Sequence, residues 1–343
     1  MSSDVDRERA EEDDDFAPAP SMELWDARNR YLKRHYRNLD GVRLRPAGEP
    51  IRSVETTTGP LRFETLNWVQ GLPCLVDEAA GDATVGNAID ELLTLRYSQE
   101  PSTDTAEWGR HRVRQRLWDW RLPADVLEQA DEEWTAYRRT LKGVLPYLRD
   151  DDVEENGSAI GLARHGMVLA LHAAVGRSPE LCEDPRRRHY HLGRSFAGQL
   201  LELADPEELG AVAGMLRLAV QGLPAPSQVT RVIEKPVCGH GEPDLLLDGT
   251  LIEVKSRRGT RSDSALTGET IRQLLGYVLS VPPELEEEQP ITRAGWYLAR
   301  YGVLWDFPIE EIPARLYGRP LDLEVARRAF RLGIPPDEVE RQN

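Results

Sequence analysis

A hairpin pattern between residues 241 and 256 constrains the fold of this chain more than any other feature. Two aliphatic runs, "LLL" and "TLIEV", flank Asp248-Gly249, a pair typical of a type I′ turn, in which both central residues need positive φ. Centring the turn on this pair places Asp244 opposite Glu253. Because opposite Cβ atoms of an antiparallel pair lie about 5 Å apart, the two carboxylates are expected to converge.

Strand periodicity gives this hairpin one charged face and one apolar face. Lys255 follows Glu253 by two residues, so both side chains are expected on the face of Asp244. The apolar face is expected to consist of Leu245, Leu247, Ile252 and Val254.

Paired carboxylates repel each other unless a proton or a cation lies between them. Mg²⁺ prefers carboxylates, waters and phosphate oxygens, and a nearby lysine can activate a water or stabilise charge on a phosphate. The charged face therefore favours a divalent-cation site. A solvated surface hairpin with a Glu–Lys pair is the alternative.

The order "EPD", eight residues and "EVK" resembles the signature of the PD-(D/E)xK nuclease superfamily. The resemblance implies that Asp244 and Glu253 bind Mg²⁺ or Mn²⁺ and that Lys255 assists phosphodiester hydrolysis. Further along the chain, Gln273 and Tyr277 lie four residues apart on one face of a predicted helix. A Q-x-x-x-Y pair at this place resembles the RecB-like branch, which includes the AddB-type exonucleases, and implies that both residues help to position metal-bound groups and nucleic acid.

A third metal ligand is expected upstream of the hairpin. The RecB-like branch usually has a G-x-x-x-H motif on an earlier helix, and here "GNAID" places Gly86 and Asp90 at that spacing, with aspartate instead of histidine. Asp90 is the candidate third ligand, because a carboxylate binds a hard cation well. Glu91 and Glu202 remain alternatives.

The pattern of apolar residues predicts an α/β protein, and the resemblance implies a restriction-endonuclease-like mixed sheet flanked by helices, with a helical insertion. Strands are predicted over "VTRVIEKPV", "PDLLL", "TLIEVK" and "AGWYLARYGVLWDF", with a helix between the last two. The predicted segments are a disordered acidic tail (1–20), an N-terminal segment (21–83) with a helix near 22–38, a first core helix (84–97), a helical insertion (98–225), the nuclease core (226–310) and a C-terminal helical tail (311–343).

Composition narrows the cellular context. No apolar run approaches the roughly 20 residues that span a bilayer, and the N-terminus is acidic, so a cytoplasmic protein without a membrane partner is expected. The three cysteines have no CxxC spacing, which favours neither a disulfide framework nor a zinc or iron–sulfur site. Only four of the 43 basic residues are lysines, which makes each lysine unusual: Lys33, Lys142, Lys235 and Lys255.

The predicted function is that of a metal-dependent deoxyribonuclease whose partners are DNA and a helicase or another repair or phage-defence subunit. The alternative is a catalytically silent nuclease-like module that binds DNA or partner proteins. The net charge of −16 favours this alternative, whereas the intact Asp244, Glu253 and Lys255 oppose it.

Several further side chains have two interpretations each. The arginine- and aromatic-rich stretches 108–121 and 183–194 either line a nucleic-acid groove or form salt bridges with nearby acids. His240 either approaches the site or lies on the loop surface, and Glu242 is a candidate outer carboxylate. His189 and His191 lack further ligands at a spacing that would suit a metal.

Overall fold

The structure of the chain, a computed structural model, describes residues 30–31, 74–76, 82–98, 106, 124–149, 158–177, 205–257, 268–317 and 319–342. Several predictions lie outside these residues: the tail 1–20, most of the helix near 22–38, the stretches 108–121 and 183–194, and Glu202.

The described residues form an α/β fold with five strands and nine α-helices. The helices are α1 (Asp82–Tyr97), α2 (Ala124–Arg149), α3 (Ser158–Arg177), α4 (Pro206–Gly222), α5 (Gly268–Leu279), α6 (Pro283–Glu288), α7 (Glu311–Tyr317), α8 (Leu323–Leu332) and α9 (Pro336–Gln342). The strands are β1 (Val232–Glu234), β2 (Leu245–Leu247), β3 (Thr250–Lys255), β4 (Arg293–Leu298) and β5 (Val303–Pro308).

The strands form one mixed, open sheet in the order β1-β2-β3-β4-β5. Strands β3 and β4 are parallel and are joined through α5 and α6, whereas every other neighbouring pair is antiparallel. The predicted register of the β2–β3 hairpin is confirmed, since Leu246 pairs with Leu251. Asp248 and Gly249 have φ values of 44° and 81°, as a type I′ turn requires.

Helices cover both faces of the sheet. On one face, Leu245, Leu247, Ile252 and Val254 pack in a cluster with α1, α2, α3 and α4. On the other face, Leu246 and Leu251 pack in a second cluster with α5, α7 and α8. The face that carries the charged residues is therefore also apolar near the turn, and the expectation of a single apolar face is wrong.

Three element boundaries differ from prediction. The run 294–307 forms two strands, because residues 299–302 turn the chain back and Gly302 has a φ of 64°. Strand β1 ends at Glu234, because Lys235 has a φ of 42° and proline follows it. Helix α1 begins at Asp82, two residues earlier than expected.

Among the described residues, no helix has the length and apolar composition that crossing a bilayer would demand.

Candidate active site

Asp244 lies one residue before β2. It is outside the backbone ladder, so the predicted pairing with Glu253 is replaced by a contact between the Asp244 side chain and β3. The antiparallel ladder ends at Leu245 and Ile252. Beyond it, the backbone N–H of Val254 donates to Oδ2 of Asp244 over 2.6 Å. On the other side, the N–H of Lys235 donates to the Asp244 carbonyl over 3.1 Å. The Asp244 carboxylate is thus fixed against β3, at the end where that strand leaves the sheet.

Four of the five predicted catalytic residues form one continuous hydrogen-bonded chain. Nζ of Lys255 donates to Oε1 of Glu253 over 2.6 Å and to Oε1 of Gln273 over 3.1 Å. Nε2 of Gln273 then donates to the Tyr277 hydroxyl over 2.7 Å. Because an ammonium group can only donate, it fixes the Gln273 amide with its oxygen towards Lys255. The Tyr277 hydroxyl accepts from this amide and keeps its own proton to donate.

Helix α1 brings Asp90 to the same place. Gly86, one turn earlier, lies so close to the end of β3 that a Cβ atom there would be 2.5 Å from Oγ of Ser256. The glycine therefore permits close packing of α1 against β3. The carboxyl groups of Asp90 and Asp244 lie within hydrogen-bonding reach of each other.

Burial and crowding of charge shift the ionisation of these groups. Burial and the nearby charge of Asp244 raise the pKa of Asp90 well above its ordinary range. Burial, followed by repulsion from Glu253, raises the pKa of Asp244 to about 7. Burial lowers the pKa of Lys255, but attraction to Glu253 and Asp244 outweighs it, so the net direction is upward. Burial and the Glu253 charge also raise the pKa of Tyr277.

A second lysine faces these acids, and sequence reasoning missed it. Nζ of Lys235 forms an ion pair with Oε1 of Glu91 over 2.9 Å. The available signals were the scarcity of lysine and the position of residue 235 opposite Asp244 in the β1–β2 pair. The second signal needs the register of β1, which the sequence does not specify. Glu91, an alternative third ligand, is thus engaged with Lys235, whereas Asp90 contacts Asp244.

The donors present suit a divalent cation. They are carboxylate oxygens, and buried Oδ1 of Asp90 has no hydrogen-bond partner among the described residues. The acids Asp90, Glu91, Asp244 and Glu253 face Lys235 and Lys255, so full ionisation leaves two negative charges, which one divalent cation balances. Within the described ranges, no group of three or more His, Cys, Asp or Glu side chains is preassembled as a metal site. The two aspartates meet each other, while Glu253 faces Lys255.

The remaining candidate residues differ in their burial. His240 is buried, with its ring 6.2 Å from that of Tyr277 and 6.0 Å from that of Phe330, so it is a packing residue between α5 and α8 instead of a surface histidine. Glu242 is exposed. Cys238 is a buried free thiol.

Comparison with protein-family models, with curated proteins and with solved structures finds no match to this chain.

Proposed function

We propose that this protein is a divalent-metal-dependent nuclease that hydrolyses phosphodiester bonds in DNA. The observation that supports this most directly is the contact between Asp90 and Asp244, two half-buried carboxyl groups from distant parts of the chain, beside the ammonium group of Lys255. Burying several acids together destabilises a fold unless a cation binds them, so such a cluster favours a metal site over a structural role.

The fold that we propose is the restriction-endonuclease-like core. A mixed sheet, a hairpin that presents Asp244, Glu253 and Lys255, and a following helix that leads into a parallel strand support this proposal. The helices α1 to α4, which include the predicted insertion, cover one face of that sheet.

The proposed chemistry divides between the cation and the side chains. Mg²⁺ or Mn²⁺ held by Asp90, Asp244 and Glu253 would polarise a phosphate oxygen and lower the pKa of a water. Lys255 supplies a positive charge for the negative charge that develops on the phosphate. Gln273 holds the Lys255 ammonium in place, and the Tyr277 hydroxyl is available to donate to a substrate oxygen.

Substrate binding must depend on local contacts, because the net charge of −16 repels nucleic acid at long range. This charge is the reason to propose a partner, such as a helicase or another repair or defence subunit, that delivers the DNA.

The decisive experiment is a cleavage assay with the full chain on single-stranded, double-stranded and branched DNA. We expect degradation with Mn²⁺ or Mg²⁺ and none with EDTA. The Lys255→Ala variant is expected to lose at least about 100-fold in rate, because it lacks the charge that stabilises the transition state. Lys142→Ala, which removes an exposed lysine on α2, is the matched control and should retain the rate of the unmodified protein.

Two results would contradict the proposal. Equal cleavage by the Lys255→Ala and unmodified proteins would exclude the assigned site. Absence of both cleavage and any Mn²⁺-dependent rise in melting temperature would instead indicate the catalytically silent module.

A further inference from the structure

We propose that Lys235 and Glu91 form a positioning pair that holds Asp90 against Asp244, and that Glu91 is therefore not a metal ligand. This inference depends on the proposed function, because it concerns the same metal site.

Lys235 connects two parts of the site through its backbone and its side chain. Its backbone N–H donates to the carbonyl of Asp244, and its Nζ pairs with Glu91 on α1. Its φ of 42° lies in the left-handed region, which residues with a Cβ adopt only where the surrounding structure imposes it. Lys235 thus joins the strand that leads into Asp244 to the helix that carries Asp90.

Glu91 is the residue of α1 through which Lys235 can act on Asp90. It is adjacent to Asp90, and consecutive residues of an α-helix point about 100° apart, so the two side chains contact different partners. Asp90 meets Asp244, and Glu91 meets Lys235. Two contacts at different angles fix the rotation of α1 about its axis as well as its distance from the sheet.

The Lys235–Glu91 ion pair is sufficiently shielded from solvent to hold α1 in position. The Glu91 side chain is 5% exposed and the Lys235 side chain is 19% exposed. A carboxylate this buried requires a partner, and loss of only one member would leave the other charge buried and unpaired. Both members must therefore be replaced together in a clean test.

The two possible roles of Lys235, simple charge repulsion and positioning, predict opposite changes in cation affinity when Lys235 is replaced. As an isolated positive charge, Lys235 would repel a metal cation, so its removal alone would strengthen cation binding. The double variant Lys235→Met/Glu91→Gln keeps the net charge and removes the ion pair. Any loss of cation affinity in that variant then reports positioning.

The experiment measures binding of Mn²⁺ alone to the full chain by isothermal titration calorimetry at pH 8, without nucleic acid. The double variant is expected to bind Mn²⁺ about 10- to 100-fold more weakly, the usual effect of losing a residue that orients a metal ligand. The reversed pair, Lys235→Glu/Glu91→Lys, restores the ion pair and should bind within about threefold of the unmodified protein. Lys142→Met, on the exposed surface of α2, should bind as the unmodified protein does.

The outcomes separate this inference from the proposed function. A folded double variant with unchanged Mn²⁺ affinity would overturn the positioning role and leave the nuclease proposal intact. Absence of Mn²⁺ binding by the unmodified protein would overturn the metal site itself. If circular dichroism shows that the double variant is unfolded, the reversed pair decides: near-normal affinity supports the positioning role, and loss of affinity in a folded reversed pair refutes it.

Discussion

Replacing Asp244 with asparagine is expected to stabilise the metal-free protein, although it removes a proposed metal ligand. Burial, followed by repulsion from Glu253, raises the pKa of Asp244 to about 7. Asparagine has the same shape, carries no charge and offers an oxygen that can still accept the Val254 N–H. The substitution therefore removes the repulsion and keeps the hydrogen bond.

The size of the effect follows from the pKa of Asp244 in the two states. The ordinary value is 3.8 and the folded value is about 7. One pKa unit corresponds to about 1.4 kcal/mol, so ionised Asp244 costs the folded state up to about 4 kcal/mol. Because Asp244 is partly exposed to solvent, screening reduces this cost, and we expect a gain of about 2 to 4 kcal/mol in the free energy of unfolding.

The gain in stability from Asp244→Asn should increase as the pH rises. A group whose pKa is raised by folding leaves stability intact below its unfolded pKa and lowers it as pH rises towards its folded pKa. The difference between the Asp244→Asn and unmodified proteins should therefore be small near pH 4, grow up to about pH 7 and stay constant above it.

Urea denaturation in EDTA across this pH range measures the difference. The matched control is Asp205→Asn, an N-cap of α4 whose side chain accepts the Glu207 N–H, since asparagine caps a helix about as well as aspartate. Adding Mn²⁺ should then stabilise the unmodified protein and not the Asp244→Asn variant. A variant that is less stable than the unmodified protein at pH 8, or a gain that does not vary with pH, would refute the reasoning.

Two further predictions concern the approach of α1 and the binding of metal. Gly86→Val should lower the free energy of unfolding by about 1 to 3 kcal/mol and weaken Mn²⁺ binding, because its side chain would collide with Ser256 and displace Asp90. Gly161→Val on α3, where nothing lies within 4 Å, is the control in denaturation and calorimetry, and equal effects would contradict the packing argument. Mn²⁺ affinity should rise with pH through about 7, because Asp244 and Asp90 must lose their protons to bind a cation. Calorimetry between pH 5.5 and 8.5 tests this, and a flat profile would contradict it.

Local patterns predicted the hairpin correctly. The Asp248-Gly249 turn and the alternation around it specify the β2–β3 register, because a shift by one residue would turn every side chain to the other face. Likewise, helical spacing predicts that Gln273 and Tyr277 share a face, and the two are hydrogen-bonded.

Contacts between distant segments could not be predicted in this way. The Lys235–Glu91 pair depends on the register of β1 and on a positive φ at Lys235, neither of which has a sequence signal of its own. The burial of His240 depends on α8, which lies far along the chain and packs against α5. The turn between β4 and β5 was not predicted, because β propensity is continuous there and "ARYG" contains one glycine and no other strong turn residue.

The two-sided burial of the sheet has a consequence for fragments of this protein. A piece limited to residues 226–310 would contain the whole signature, yet Leu245, Leu247, Ile252 and Val254 would face water without α1 to α4. Each such side chain loses about 1.5 to 3 kcal/mol of burial energy, and the exposed strands would invite edge-to-edge association. A proteolytic product of this kind is expected to aggregate, so cleavage of the chain would not release a separate, active form of the proposed nuclease.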